Sequence, residues 1–339
     1  MITAVEPRHT RHASSGHGPP DVVRATLLAL ALTLALAVIV VAFGLPASRT
    51  APHDVPIGVA GPQAAGGPIA PMLEQQAPGA FAITFYPGEE ALRDAIRNRD
   101  VYGGIAFGPE GRSLLIATGG SPMVAQMLTQ IGNGIAQKAG VPLVTEDLAP
   151  PTAADPRGAG LAASALPITL AGLLPAYAFV LIFNRQVWLR LAGTAAVGLL
   201  GALSIALLLW YVFESIDQNF WGVAGGLALG ALAMGLSVLG LGSVFGKAGL
   251  AVGALLAILL GNPLSGLNSA PELLPRGWGQ LGQWLPQGAN ATLLRSTAFF
   301  DGAGGTVPVI VLACWALAGV VLVAIAAARQ YRVDQPTAR

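Results

Sequence analysis

The chain has 339 residues, 54% of them hydrophobic and 10% charged, with a formal net charge of +1. Soluble domains carry about 25% charged residues, so this composition excludes an ordinary water-soluble fold and points to a protein in contact with the lipid bilayer. The near-zero net charge gives no electrostatic basis for a nucleic-acid partner, and the single cysteine, Cys314 inside the apolar run LACWALAG, excludes an intramolecular disulfide.

Met1 to Asp21 reads as a disordered cytosolic tail, rich in Gly, Pro, Arg and His and without helical period. His9, His12 and His17 lack the carboxylates that accompany a metal site, so no metal is expected there. Residues 22–45 form an apolar run of about the 20 residues needed to cross a bilayer. It exceeds the apolar core of a cleavable signal, and a retained first transmembrane helix is expected.

Residues 46–165 change character and predict an extracytoplasmic α/β domain. Val55 to Val59 and Ala80 to Tyr86 are rich in β-branched and aromatic residues, as strands are. Gly88 to Arg99 predicts a helix, with Ala91, Leu92, Ala95 and Ile96 on one stripe. Glu89 and Glu90 stand in the first turn and Arg97 and Arg99 in the last, matching the helix dipole. Val101 to Phe107 and Arg112 to Ala117 predict a hairpin about Gly108-Pro109-Glu110-Gly111. Ser121-Pro122 opens a helix that runs to Gly140. The expected order is βα, βα, ββα, and the Pro-rich stretch from Ala149 to Arg157 is the expected linker to the membrane region.

Residues 166–328 predict a five-helix transmembrane domain: Leu166 to Phe183, Leu191 to Phe213, Trp221 to Phe245, Ala248 to Leu260 and Val307 to Ala328. With the first span they make six transmembrane helices. Arg8, Arg11, Arg24, Arg185, Arg190, Lys247, Arg329, Arg332 and Arg339 flank the spans on one side, while Glu214 to Phe220 carries no Lys or Arg. The positive-inside rule then places both termini, with the tail 329–339, in the cytoplasm of a multi-pass protein of the cell membrane. Glycines recur four apart at Gly222, Gly226 and Gly230 and again at Gly249 and Gly253, which predicts close helix packing.

No catalytic, cofactor-binding or metal set is expected. The spans hold no charged residue away from their ends, which argues against proton coupling. The stretch Gly242 to Ala248 departs from a phosphate loop both in its glycine spacing and in having Ala248 after Lys247. The segment 262–305 remains: too polar to span, too apolar for a free loop. Trp278, Leu281, Trp284 and Leu285 predict an interfacial amphipathic helix, and Ala289 to Phe300 a second one, together an external hairpin lying on the bundle surface. Glu272, Arg276, Arg295 and Asp301, with Glu214 and Asp217, are its candidate polar lining. Trp278, Trp284, Arg276, Arg295 and Glu272 are the expected gate residues.

VPIGV after the first span, ALRDAIRNRDVYGGIAFGPEG, DPRG at Asp155 to Gly158 and LPRGWGQLGQWLPQGANATLLRS stand in an order that resembles the type-2 ABC exporter permeases, in particular their phage-infection-protein-like membrane branch. The resemblance implies a homodimer of six-span halves and a separate ATP-binding subunit. It implies export of a hydrophobic or amphiphilic substrate through a non-enzymatic permease. The loop Asn184 to Arg190 is short for a coupling helix. The alternative from another class is a non-transporting cell-envelope receptor whose α/β domain binds a ligand or phage.

Overall fold

The computed structural model describes residues 21–62, 66–108, 111–140, 142–183, 185–267 and 269–334. The N-terminal tail, the hairpin residues Pro109 and Glu110, Asn184 and Arg339 lie outside them. The chain forms two compact units, Met1–Val41 and Ala42–Arg339. The first holds most of helix α1 (Asp21–Ser48), whose apolar side chains are exposed from Val22 to Phe43.

In the second unit, five strands, β1 (Val55–Ala60), β2 (Phe81–Tyr86), β3 (Gly103–Gly108), β4 (Gly111–Ile116) and β5 (Leu143–Asp147), form one mixed sheet in the order β2-β1-β3-β4-β5. The pairs β1–β2, β1–β3 and β4–β5 are parallel and β3–β4 is antiparallel. Alternation along the strands sends Ile57, Val59, Ile105, Leu114 and Ile116 to one face, under α2 (Ile69–Gln76) and α4 (Pro122–Ala139). Ala106 and Leu115 go to the other, against Leu92, Ala95 and Ile96 of α3 (Glu89–Arg97). Helix α4 starts where the Ser121 hydroxyl accepts from the Val124 N–H and ends at Gly140, φ 64°. Strand β5 has no counterpart in the sequence reading. It is an edge strand whose middle residues, Val144, Thr145 and Glu146, are exposed, so it lacks apolar alternation.

Among the described residues, five helical stretches are long and apolar enough to cross a membrane: α1; Ala159–Ile182, comprising α5 (Ala159–Ala163) and α6 (Ala165–Ile182); α7 (Val187–Tyr211); Phe220–Gly261; and the bulk of α11 (Thr306–Asp334). The protein is therefore membrane-embedded. The fourth stretch joins α8 (Phe220–Leu255) to a π-helical turn, Leu256–Gly261, and covers both the fourth and the fifth expected spans. Helical geometry is interrupted within it at Gly246 (φ 62°, ψ −139°), and the chain folds back. A Cβ on Gly253 would lie 3.1 Å from Val238, and Gly242 faces Leu250. In a straight helix residues 238 and 253 would stand about 22 Å apart at 1.5 Å per residue.

Small residues set the crossings. Gly172 of α6 meets Ala231 and Gly235 of α8, and Gly319 of α11 meets Leu236 and Gly240, each so closely that an added Cβ would fall within 3 Å of backbone. Arg190, expected as a charge flanking the spans, is buried and its Nε donates to the Phe183 carbonyl across the short α6–α7 turn.

Candidate functional site

The segment between the π-helical turn and α11 carries a single 3-10 turn (Pro271–Leu273), α9 (Trp278–Gln283) and α10 (Pro286–Phe299). The expectation of a helix pair on the bundle surface is overturned for α10. Eleven of its 14 residues are buried, among them Gln287, Asn290, Arg295 and Ser296. Polar residues fit there because the facing helices present glycine. An added Cβ on Gly230 would collide with the Asn290 amide and one on Gly261 with the Gln287 amide, while Gly226 receives Leu293 and Leu294. Gln287 Nε2 donates to the Ala257 carbonyl at 3.2 Å, an oxygen that also accepts the Asn262 N–H closing the π-helical turn. Of the other glycines singled out, Gly249 and Gly253 pack across the Gly246 reversal, and Gly222 faces its own capping residue, Asn219.

The same segment completes the sheet's two cores. Ala270 and Leu273 belong to one and Phe300 to the other. Main-chain bonds run from Ala51 N–H to Leu273 O at 3.1 Å and from His53 N–H to Glu272 O at 2.9 Å.

Between sheet and segment lies a cavity of about 580 Å³. Its wall brings together Glu272, Arg276 and Arg295 of the expected gate set and adds Arg99, Tyr102 and His53 from the sheet side. Trp278 and Trp284 are absent from that wall. Both are exposed, Trp284 at 68%, on the opposite side of α9 from Gly279 and Gln283, which line it. Glu214, Asp217 and Asp301 are not part of the wall either.

Arg295 is 4% exposed and its Nη2 donates to the carbonyls of Leu267 (2.5 Å) and Ser269 (3.1 Å). Ser269 O also accepts from the Ser121 hydroxyl at 2.7 Å, so one carbonyl ties α10 to the cap of α4. Burial first, and then the neighbouring Arg99 cation, push the Arg295 guanidinium down to about 10, which leaves it charged at neutral pH.

Arg99 sits just past α3 with φ 65°, where glycine is usual. Its N–H donates to Ile96 O (3.0 Å) and that of Asp100 to Ala95 O (2.8 Å), the two bonds of a Schellman ending. The left-handed backbone sends the side chain across to α10. There Nη1 donates to Thr292 O (3.0 Å) and Ser296 Oγ (2.5 Å), and the guanidinium stacks over Phe300 at 5.2 Å. Tyr102 donates to Glu272 Oε2 at 2.8 Å, and burial, then the Glu272 charge, hold its phenol well above the ordinary range.

Arg99 and Tyr102 were not singled out in the sequence. Arg99 was expected in the last turn of a helix running to that residue, whereas α3 ends at Arg97 and the Schellman ending puts Arg99 outside it. Among the described residues, no group of three His, Cys, Asp or Glu side chains is placed to hold a metal ion. Comparison with protein-family models, curated proteins and solved structures returned no match.

Proposed function

We propose that this chain is the membrane permease subunit of an ABC-type exporter for an amphiphilic substrate, driven by ATP hydrolysis on a separate chain. The observation that carries the reading is α10. A helical pair just before the last apolar helix is the element order that the resemblance to type-2 exporters implies, and α9 and α10 stand in that place, with α10 packed on α8 and α11 where a surface hairpin was expected. The apolar helices support it by keeping Arg24, Arg190, Lys247, Arg329 and Arg332 at their ends or at the Gly246 turn.

In this reading the reversal at Gly246 divides Phe220–Gly261 into two spans, giving six. Both termini are cytoplasmic, the sheet and the 262–305 segment face outward, and two copies make the working unit. The 580 Å³ cavity would then lie at the outward end of the bundle, where a released amphiphile passes.

The test is purification of the tagged chain from its native membranes, with mass spectrometry for a co-purifying ATP-binding subunit and ATPase assays in proteoliposomes. A stoichiometric ATPase stimulated by amphiphiles is the expected result. Absence of any such subunit, with ligand binding retained, would favour the envelope-receptor reading, which the cavity also supports.

A further inference from the structure

We propose that the cavity between the sheet and the 262–305 segment is a binding site for a phosphate- or carboxylate-bearing group, held by Arg295 and Arg99 at its base and Arg276 at its mouth. The site does not depend on the export reading, since binding is measured without an ATPase.

A buried cation is normally matched by an anion, because carbonyl dipoles alone recover poorly what its removal from water costs. Among the described residues the ion pairs involve Arg24, Arg93 and Arg97, and none includes Arg99, Arg276 or Arg295. The carboxylates on the wall are Asp54 and Glu272, and Glu272 already accepts the Tyr102 hydroxyl. With three guanidinium groups against two carboxylates, the wall is left net cationic.

The hydrogen-bond inventory has the same sense. Every protein bond described for Arg295 leaves from Nη2, although a guanidinium carries five N–H donors. Two further buried nitrogens on this wall, His53 Nδ1 and Gln283 Nε2, have no partner. Gln283 is held in place by the Thr292 hydroxyl, which donates to its Oε1 at 2.6 Å. The cavity thus has an excess of donors and of positive charge, which an oxyanion with several acceptor oxygens would satisfy. Guanidinium forks match phosphate and carboxylate geometry two bonds at a time. Arg99 reaches this site from a left-handed backbone that is disfavoured for a residue other than glycine.

The volume is within the roughly 300 to 1,000 Å³ of small-ligand sites. Arg276, just before α9, and Gln280 within it are exposed at its edge, while Trp278, Leu281 and Trp284 present an exposed apolar face on the side of α9 turned away from the wall.

The experiment titrates the purified full-length protein, in uncharged detergent, with inorganic phosphate and with a short-chain phosphatidic acid. Binding is followed by thermal shift and native mass spectrometry. Saturable binding of either probe is expected, weakened at least tenfold in Arg295→Gln and in Arg99→Gln. Arg276→Gln tests the same point without disturbing a buried residue: severalfold weaker binding at unchanged Tm is expected. Arg97→Gln, an exposed arginine off this wall, should bind like the parent. Binding of the lipid well beyond that of phosphate assigns the head group of an amphiphile, and equal binding assigns a free oxyanion. No saturable binding of either probe by folded parent protein, or binding that Arg276→Gln, Arg99→Gln and Arg295→Gln leave unchanged, overturns the proposal.

Discussion

Substitution of Gly246 by alanine separates a folded-back helical pair from one continuous 42-residue helix. At φ 62°, ψ −139° only glycine is comfortable, and a Cβ there would meet no heavy atom within 4 Å. The effect of Gly246→Ala is therefore purely conformational, about 1 to 3 kcal/mol of strain, reduced by the ~0.4 to 1 kcal/mol that alanine removes from unfolded-chain entropy. A net loss of roughly 1 to 2 kcal/mol is expected. Gly225 is the matched reference: it lies in the regular part of α8, is exposed, and a Cβ there also meets nothing within 4 Å. Gly225→Ala should gain about 0.5 to 1 kcal/mol, the ordinary helical difference between the two residues. Unfolding of both variants in mixed micelles, followed by tryptophan fluorescence, should give shifts of opposite sign. If Gly246→Ala stabilised the protein as Gly225→Ala does, the helix would continue through residue 246 and the reversal would be wrong.

Gly319→Ala places a Cβ 2.3 Å from the Leu236 carbonyl carbon and should cost enough packing between α8 and α11 to lower Tm markedly, whereas Gly134→Ala, with nothing within 4 Å, should not. Tyr102→Phe removes the hydrogen bond to Glu272 and is expected to cost about 1.5 to 3 kcal/mol, read by chemical denaturation; an unchanged midpoint would mean that bond contributes nothing. Asp155 accepts the N–H groups of Ala159 and Gly160, each at 2.8 Å. Burial alone would raise its pKa, but these bonds and the Ser215 hydroxyl outweigh it and hold the carboxyl below its usual value. A depressed folded pKa stabilises above the unfolded value of about 3.9 and is lost as pH falls through the folded one. The Tm deficit of Asp155→Ala should therefore be full at pH 7 and shrink below about pH 4; a pH-independent deficit would refute that role.

The strands and helices read most surely from the sequence are those whose signal is local. VPIGV carries its β-branched alternation, and EEALRDAIR carries both an apolar stripe and an ordered charge gradient. The break near Lys247 was also legible, because a Gly-Lys pair interrupts an apolar run. Helix α10 was read as superficial for a physical reason. Its own residues are polar, and what buries them is the absence of side chains at Gly230 and Gly261, 60 and 26 positions before Asn290 and Gln287. No window of sequence contains that complementarity. The candidate site suffered the same way: Glu272, Arg276 and Arg295 were visible as charges in an apolar segment, but Arg99 joins them across 196 residues through a backbone conformation that composition does not report.

Helix α10 links these observations. One side of it is fixed in the bundle by Asn290 against Gly230 and Gln287 against Gly261, with tolerances under 3 Å. About one and a half turns further on, Arg295 holds the Leu267 and Ser269 carbonyls and faces the cavity, and Ser296 receives Arg99 from the sheet. Closely packed helices shift as rigid bodies in preference to deforming. A ligand that drew Arg295 or Arg99 toward itself would therefore act on the packing of α8 and α11 through a single rigid rod about 20 Å long. The polar residues of α10 are costly to bury as packing alone, and their placement is understandable if the helix must join a charged cavity at one end to glycine-lined helices at the other.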